Sequence, residues 1–188
     1  VRTRIEHDRV AGFRLSGDRK LVGHRPRRHI ECCFLAREPG DPWWKWAELA
    51  GTYDRVDAAV LNLSGWHDEA YGPQGATVNH QGLVAAGKYS ALLIGPWVHG
   101  VAATARTKSG QREFGARAAI DYDETVLRWL DHWVRGIDNG VDREPPVRAF
   151  VMGANAWRTA GAWPMPQLRS DTLYLAPAHR LSRAAPTR

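Results

Sequence analysis

Two side chains in this 188-residue sequence stand where acid–base chemistry would need them. Asp68 follows Gly65-Trp66-His67, and His99 follows Gly95-Pro96-Trp97-Val98. A histidine exchanges its proton near neutral pH. A carboxylate beside it holds the productive tautomer and stabilises the imidazolium that forms. A hydroxyl or thiol is a weak nucleophile until such a base takes its proton. Asp68 and His99 therefore read as the acid and base of a nucleophile–acid–base triad. Their neighbours His67 and Glu69 are given no direct role. Trp66 and Trp97 read first as packing around the site, and second as substrate contacts.

The pair needs elements to bring it together. Each motif closes a short apolar run, residues 58–63 and residues 91–94. Unbroken apolar runs bounded by turn residues read as strands buried on both faces, as in a parallel sheet. In an open α/β sheet, function gathers beyond the carboxyl ends of the strands. An acid after one strand and a histidine after a later one can then meet. Between the strands, Gly72-Pro73 signals a turn within a loop over residues 69–75. Residues 76–86 read as a helix, stopped by Gly87. Strand, helix and strand make a βαβ unit with a right-handed crossover. Acid before histidine fits a triad whose nucleophile lies upstream.

Residues 101–118 read as a polar surface loop. Residues 121–135 form the best helix in the chain. Asp121 is its cap, with Glu124 three residues on. Val126, Leu130, Trp133 and Ile137 share one face, with Leu127 and Val134 beside them, so this helix is expected to cover the sheet. Short strand-like pieces follow at residues 147–152, 157–158 and 173–175, a pattern that suits antiparallel β structure. The organisation expected is an unassigned basic segment over 1–38, an α/β part over 39–142, and a β part over 143–188. Asp41 opens a short helical stretch carrying Trp43, Trp44 and Trp46. Those indoles are expected to pack under a lid or domain contact, or to wall a pocket.

Composition excludes several classes. The net charge is +6, but residues 1–38 hold ten Lys and Arg against five Asp and Glu. The basicity belongs to one end, without interleaved aromatics, so nucleic acid is not an expected partner. No apolar run approaches the roughly 20 residues that span a bilayer, and no membrane association is expected. Cys32 and Cys33 are adjacent, so they cannot staple distant segments, and they lack metal-site spacing. No metal or cofactor is expected. Within residues 1–38, residues 10–15 and 30–35 read as possible short strands. Cys32 or Cys33 is an alternative nucleophile, but no flanking glycine gives either a tight elbow.

From about Asp41 onward the chain resembles the CocE/NonD family of serine hydrolases, the cocaine-esterase and X-Pro dipeptidyl-peptidase (S15-like) group. The likeness rests on Gly65-Trp66-His67-Asp68, Ile94 to Gly100, Glu113-Phe114-Gly115, Trp129-Leu130-Asp131 and Asp138-Asn139-Gly140. It continues through Phe150 to Gly153, Trp157-Arg158, Trp163-Pro164 and Leu173-Tyr174-Leu175. The resemblance implies an α/β fold: residues 39–142 as the C-terminal part of an α/β-hydrolase domain, then the first strands of a jelly-roll β-sandwich. It implies that Asp68 orients the base and that His99 is the base. It implies small ester, amide or peptide substrates for a full-length parent.

The family's G-x-S-x-G elbow is absent. Ser16 lacks the first glycine, and Ser64 lies too near Asp68 on the same strand end. The chain therefore reads as a C-terminal fragment, inactive alone and poorly soluble or partly disordered. The alternative is a non-catalytic interaction module with a Trp-rich apolar surface. Oligomeric state and compartment stay open, with the cytoplasm favoured.

Overall fold

The computed structural model describes residues 36–38 and 40–186. Ser16, Cys32, Cys33 and the strand expectations at residues 10–15 and 30–35 lie outside the described residues. The chain divides into two compact units, Val1–Glu48 and Leu49–Arg188.

In the first unit a 3-10 turn spans Pro42–Ala47. Asp41 starts it. Its carboxylate accepts from the Trp43 backbone N–H at 2.8 Å and from the Arg37 guanidinium at 3.2 Å. Proline at the first helical position costs nothing, because its missing N–H would have no partner there. Trp43 stands edge-on to Trp44 and Trp46, with ring centroids 5.0 and 5.7 Å apart. The tryptophan-rich run thus packs in part on itself.

The second unit is built on a four-stranded sheet. Strand β1 is Val60–His67 and β2 is Ser90–Val98, paired in parallel. Helix α1, Gly72–Ala85, crosses between them. It begins earlier than the sequence reading placed it. Pro73 sits in the first turn, where its ring fits, and Gly72 enters with φ +64°. The helix ends as expected at Gly87, φ +73°, whose N–H donates to the Val84 carbonyl.

Both faces of the two parallel strands are covered. Leu92 and Ile94 face a core with Val147, Ala149, Ala160 and Met165. Leu93 and Trp97 face the opposite core with Ala103, joined by Leu61 and Leu63. This is the burial that continuous apolar runs imply.

A small hairpin pairs β3, Lys108–Ser109, with β4, Arg112–Glu113. Residues 101–118 were expected to be surface loop. They are instead anchored: Phe114 and Ala118 are buried in a third cluster with Phe150.

Helix α2, Tyr122–Trp133, is capped by Asp121, whose carboxylate accepts from the Glu124 N–H at 2.9 Å. Its inward residue is not one of those expected. Trp129 is buried, whereas Leu130, Trp133 and Ile137 are exposed with Leu127 and Val134. Trp129 and Trp133 stack near Tyr89 at the foot of β2, with centroids 6.0 and 4.6 Å away. An aromatic hook holds the helix, and its Leu130–Ile137 stripe does not lie on the sheet.

Strand β5, Val147–Val151, joins the same sheet parallel to β2, and β6, Ala156–Ala160, pairs antiparallel with β5. The order is β1-β2-β5-β6, so the sheet is mixed and runs on across position 142. A separate pair, β7 (Tyr174–Ala176) and β8 (Arg180–Ser182), lies near the end of the chain.

Candidate active site

The register of β1 against β2 decides what meets what. Pairing runs in step from Val60↔Ser90 to Gly65↔Gly95, then jumps to His67↔Val98. Strand β2 carries one extra residue over the Pro96-Trp97 step, a β-bulge. Proline has no N–H to give to the ladder, so a bulge there loses little. The two glycines make the close approach possible. A Cβ on Gly65 would strike the Trp97 backbone carbonyl, and one on Gly95 the Trp97 ring. Beyond the bulge, Asp68 stands level with His99. Without the extra residue the two would sit one position out of step, on opposite faces.

The structure brings them together. His99 Nδ1 lies 3.2 Å from Asp68 Oδ1 and 3.3 Å from Oδ2. Asp68 is held rigidly. Its Oδ1 also accepts from the Ala70 and Tyr71 backbone N–H groups at 3.0 and 3.1 Å. Its own N–H donates to the Gly65 carbonyl. Desolvation works to raise the Asp68 pKa. The hydrogen bonds from Tyr71 N–H, His99 and Ala70 N–H outweigh it, and the carboxyl lies below its ordinary value. With Asp68 ionised, Nδ1 of a neutral His99 is the donor and Nε2 the acceptor. Among the described residues Nε2 has no hydrogen-bond partner. The His99 side chain is 46% exposed and that of Asp68 11%. One nitrogen is anchored and the other is open to accept a proton.

The neighbouring residues are committed to the fold. Trp97 is buried, and its indole N–H donates to the Ala118 carbonyl at 2.8 Å. Trp66 donates to the Phe150 carbonyl at 2.7 Å and packs against Trp163. Ser64 is buried, with its hydroxyl on the Gly72 carbonyl. His67 lies against Phe114, and its buried Nε2 has no hydrogen-bond partner among the described residues. Two contacts to His99 were not read from the sequence. Glu69 Oε2 accepts from the His99 backbone N–H at 3.3 Å, and the Tyr71 ring stands edge-on to the imidazole at 5.2 Å. Adjacency to Asp68 was the only signal for either.

A cleft of about 610 Å³ lies elsewhere, lined by Leu61, Tyr89, Leu93, Trp129 and Arg148 among others. Neither Asp68 nor His99 lines it, so the chemistry is argued from the pair and not from the cleft. Among the described residues no group of three or more His, Cys, Asp and Glu is placed to hold a metal ion, and no helix is long and apolar enough to cross a membrane.

Comparison with known proteins adds an independent finding. Residues 6–101 match the family model of X-Pro dipeptidyl-peptidase (S15 family). Residues 139–188 match that of the X-Pro dipeptidyl-peptidase C-terminal non-catalytic domain. A candidate serine esterase of Mycobacterium bovis is 32% identical over 144 residues, which cover 77% of this chain and 21% of that protein. The cocaine esterase of a Rhodococcus species is 27% identical over 138 residues, covering 72% of this chain and 23% of that protein. The chain thus spans about a fifth of the length of these relatives. A CocE/NonD family hydrolase from Staphylococcus aureus superposes with a TM-score of 0.58 at 17% identity, over 82% of this chain and 26% of that one. At that identity the likeness shows a shared α/β fold.

Proposed function

From the premise that this chain belongs to the X-Pro dipeptidyl-peptidase (S15) family of CocE/NonD-type hydrolases, we propose that Asp68 and His99 are the acid and base of a Ser–Asp–His acyl-transfer site. The observation that carries this is the Asp68–His99 contact of 3.2 Å, formed across a bulge and leaving Nε2 open. In the reaction His99 Nε2 takes the proton of a serine hydroxyl as the oxygen attacks an acyl carbonyl. Asp68 holds the Nδ1–H tautomer and stabilises the imidazolium. His99 then returns the proton to the leaving group. Water, activated by the same base, releases the acyl group.

The nucleophile and the oxyanion donors belong to polypeptide outside this sequence, and this chain alone is inactive. Support comes from the lack of any G-x-S-x-G in the 188 residues and from relatives of which the matched part is only about a fifth. The substrate is a small ester, amide or peptide. Residues 143–188 carry the opening strands of a jelly-roll sandwich, a reading supported by the match over residues 139–188, although β5 and β6 also extend the α/β sheet.

Two measurements test the proposal. A serine-directed fluorophosphonate should leave the isolated chain unlabelled; stoichiometric labelling of any serine here would overturn the external nucleophile. Nitrogen-15 spectra of labelled histidine at neutral pH should show His99 with its proton on Nδ1, and Asp68→Asn should move it towards Nε2. A His99 tautomer indifferent to Asp68→Asn would remove the acid–base pair.

A further inference from the structure

His99 sits one residue past the last paired position of β2, Val98 opposite His67. The ladder therefore no longer holds its backbone. On its other side Gly100, at φ +102°, offers little stiffness. A base carried on so loose a strand end would swing relative to its acid. The loop after β1 prevents this. Its backbone is locked by the Asp68 carboxylate, which bridges the Ala70 and Tyr71 N–H groups. From that platform Asp68 reaches Nδ1 of the ring, while Glu69 Oε2 accepts from the His99 backbone N–H.

We propose that Glu69 is a positioning residue for His99: its carboxylate ties down the backbone amide while Asp68 ties down the ring, so one loop grips the residue at both ends. This rests on the reading of Asp68 and His99 as acid and base. Glu69 touches no reacting atom. It acts by fixing the Cα of His99, and so the direction in which the Asp68–Nδ1 bond can form. An Asp at this position falls one methylene short of the present contact. A Gln keeps the length and an accepting oxygen, so hydrogen bonding and charge can be separated.

The test uses the 188-residue chain with nitrogen-15-labelled histidine, reading the ratio of Nδ1–H to Nε2–H tautomers of His99 at neutral pH. A side chain that merely supported the loop would leave that ratio alone. Glu69→Ala should lower it roughly threefold, the scale of one modest hydrogen bond. Glu69→Gln should restore the original ratio. Backbone amide spectra of each variant show whether the fold persists, and the exposed position of Glu69 keeps the substitutions out of the core. An unchanged ratio in Glu69→Ala overturns the proposal, as does Glu69→Gln behaving like Glu69→Ala. Asp68→Asn separates the two levels. If it shifts the ratio and Glu69→Ala does not, Glu69 alone is lost. If Asp68→Asn has no effect, the pair itself is lost, and with it any role for Glu69 in aiming it.

Discussion

At the scale of single residues, a histidine's role follows from what each ring nitrogen meets. His99 and His80 are opposites. His99 is exposed and anchored through one nitrogen. His80, on α1, is buried, and its Nδ1 lies 3.0 Å from the Ser90 hydroxyl. That hydroxyl also accepts from Asn62 Nδ2 at 2.9 Å, so helix and both strands share one buried polar network. In the sequence His80 falls within the helix read over residues 76–86. Burial was not legible there, because the polar partners that allow it come from β1 and β2. Desolvation lowers its pKa from the ordinary 6.5. The folded state thus binds its proton less readily than the unfolded chain does. Its contribution to stability is complete above about pH 6.5 and declines as pH falls below that value. Melting curves between pH 7.5 and 5 should show this loss, and His80→Gln should flatten it. Ser90→Ala should cost about 1–3 kcal/mol at neutral pH, as expected for stranding buried polar groups.

At the scale of elements, the strands and the motifs at their ends were legible because buried parallel strands write themselves as apolar runs. What those runs could not disclose was the register. Meeting of Asp68 and His99 depends on the extra residue in β2, which spacing alone does not reveal. Helix α2 makes the same point differently. Its apolar period was real, but period names a face and not a partner, and Tyr89 turned Trp129 inward. The bulge is directly testable. Deleting Pro96 should bring Trp97 into step and carry His99 to the face opposite Asp68. The Nδ1–H preference of His99 should then disappear, as in Asp68→Asn, with helix and strand content retained by circular dichroism. Adding one glycine between Val98 and His99 to that variant should restore the preference. Recovery failing in the double variant, with the sheet intact, would mean that the bulge does not set the encounter.

At the scale of the whole molecule, the described residues of the second unit leave much apolar surface uncovered. Among the described residues strand β1 has a partner on one side only, since the sheet order starts with it. An unpaired strand edge is a template for further pairing. Along α2 and just beyond it, Leu127 is 59% and Val134 75% exposed, with Leu130 and Ile137 also outward. A contiguous apolar stripe of this kind marks a contact surface or an association liability. The proposal that further polypeptide completes this fold would account for the exposure, and the covering segments would then lie outside the 188 residues. The isolated chain should therefore self-associate in a concentration-dependent way, visible by sedimentation velocity. The double variant Leu127→Glu, Val134→Lys should shift it towards monomer. Neither side chain is packed, so the melting temperature should move by no more than about 2 °C, a few tenths of a kcal/mol for a domain of this size. If the wild-type chain proves monomeric across the concentrations tested and melts reversibly in one sharp transition, the exposed stripe and edge are tolerated as they stand. The case for an absent covering segment then loses its physical support, and the external nucleophile would have to be argued from the missing G-x-S-x-G alone.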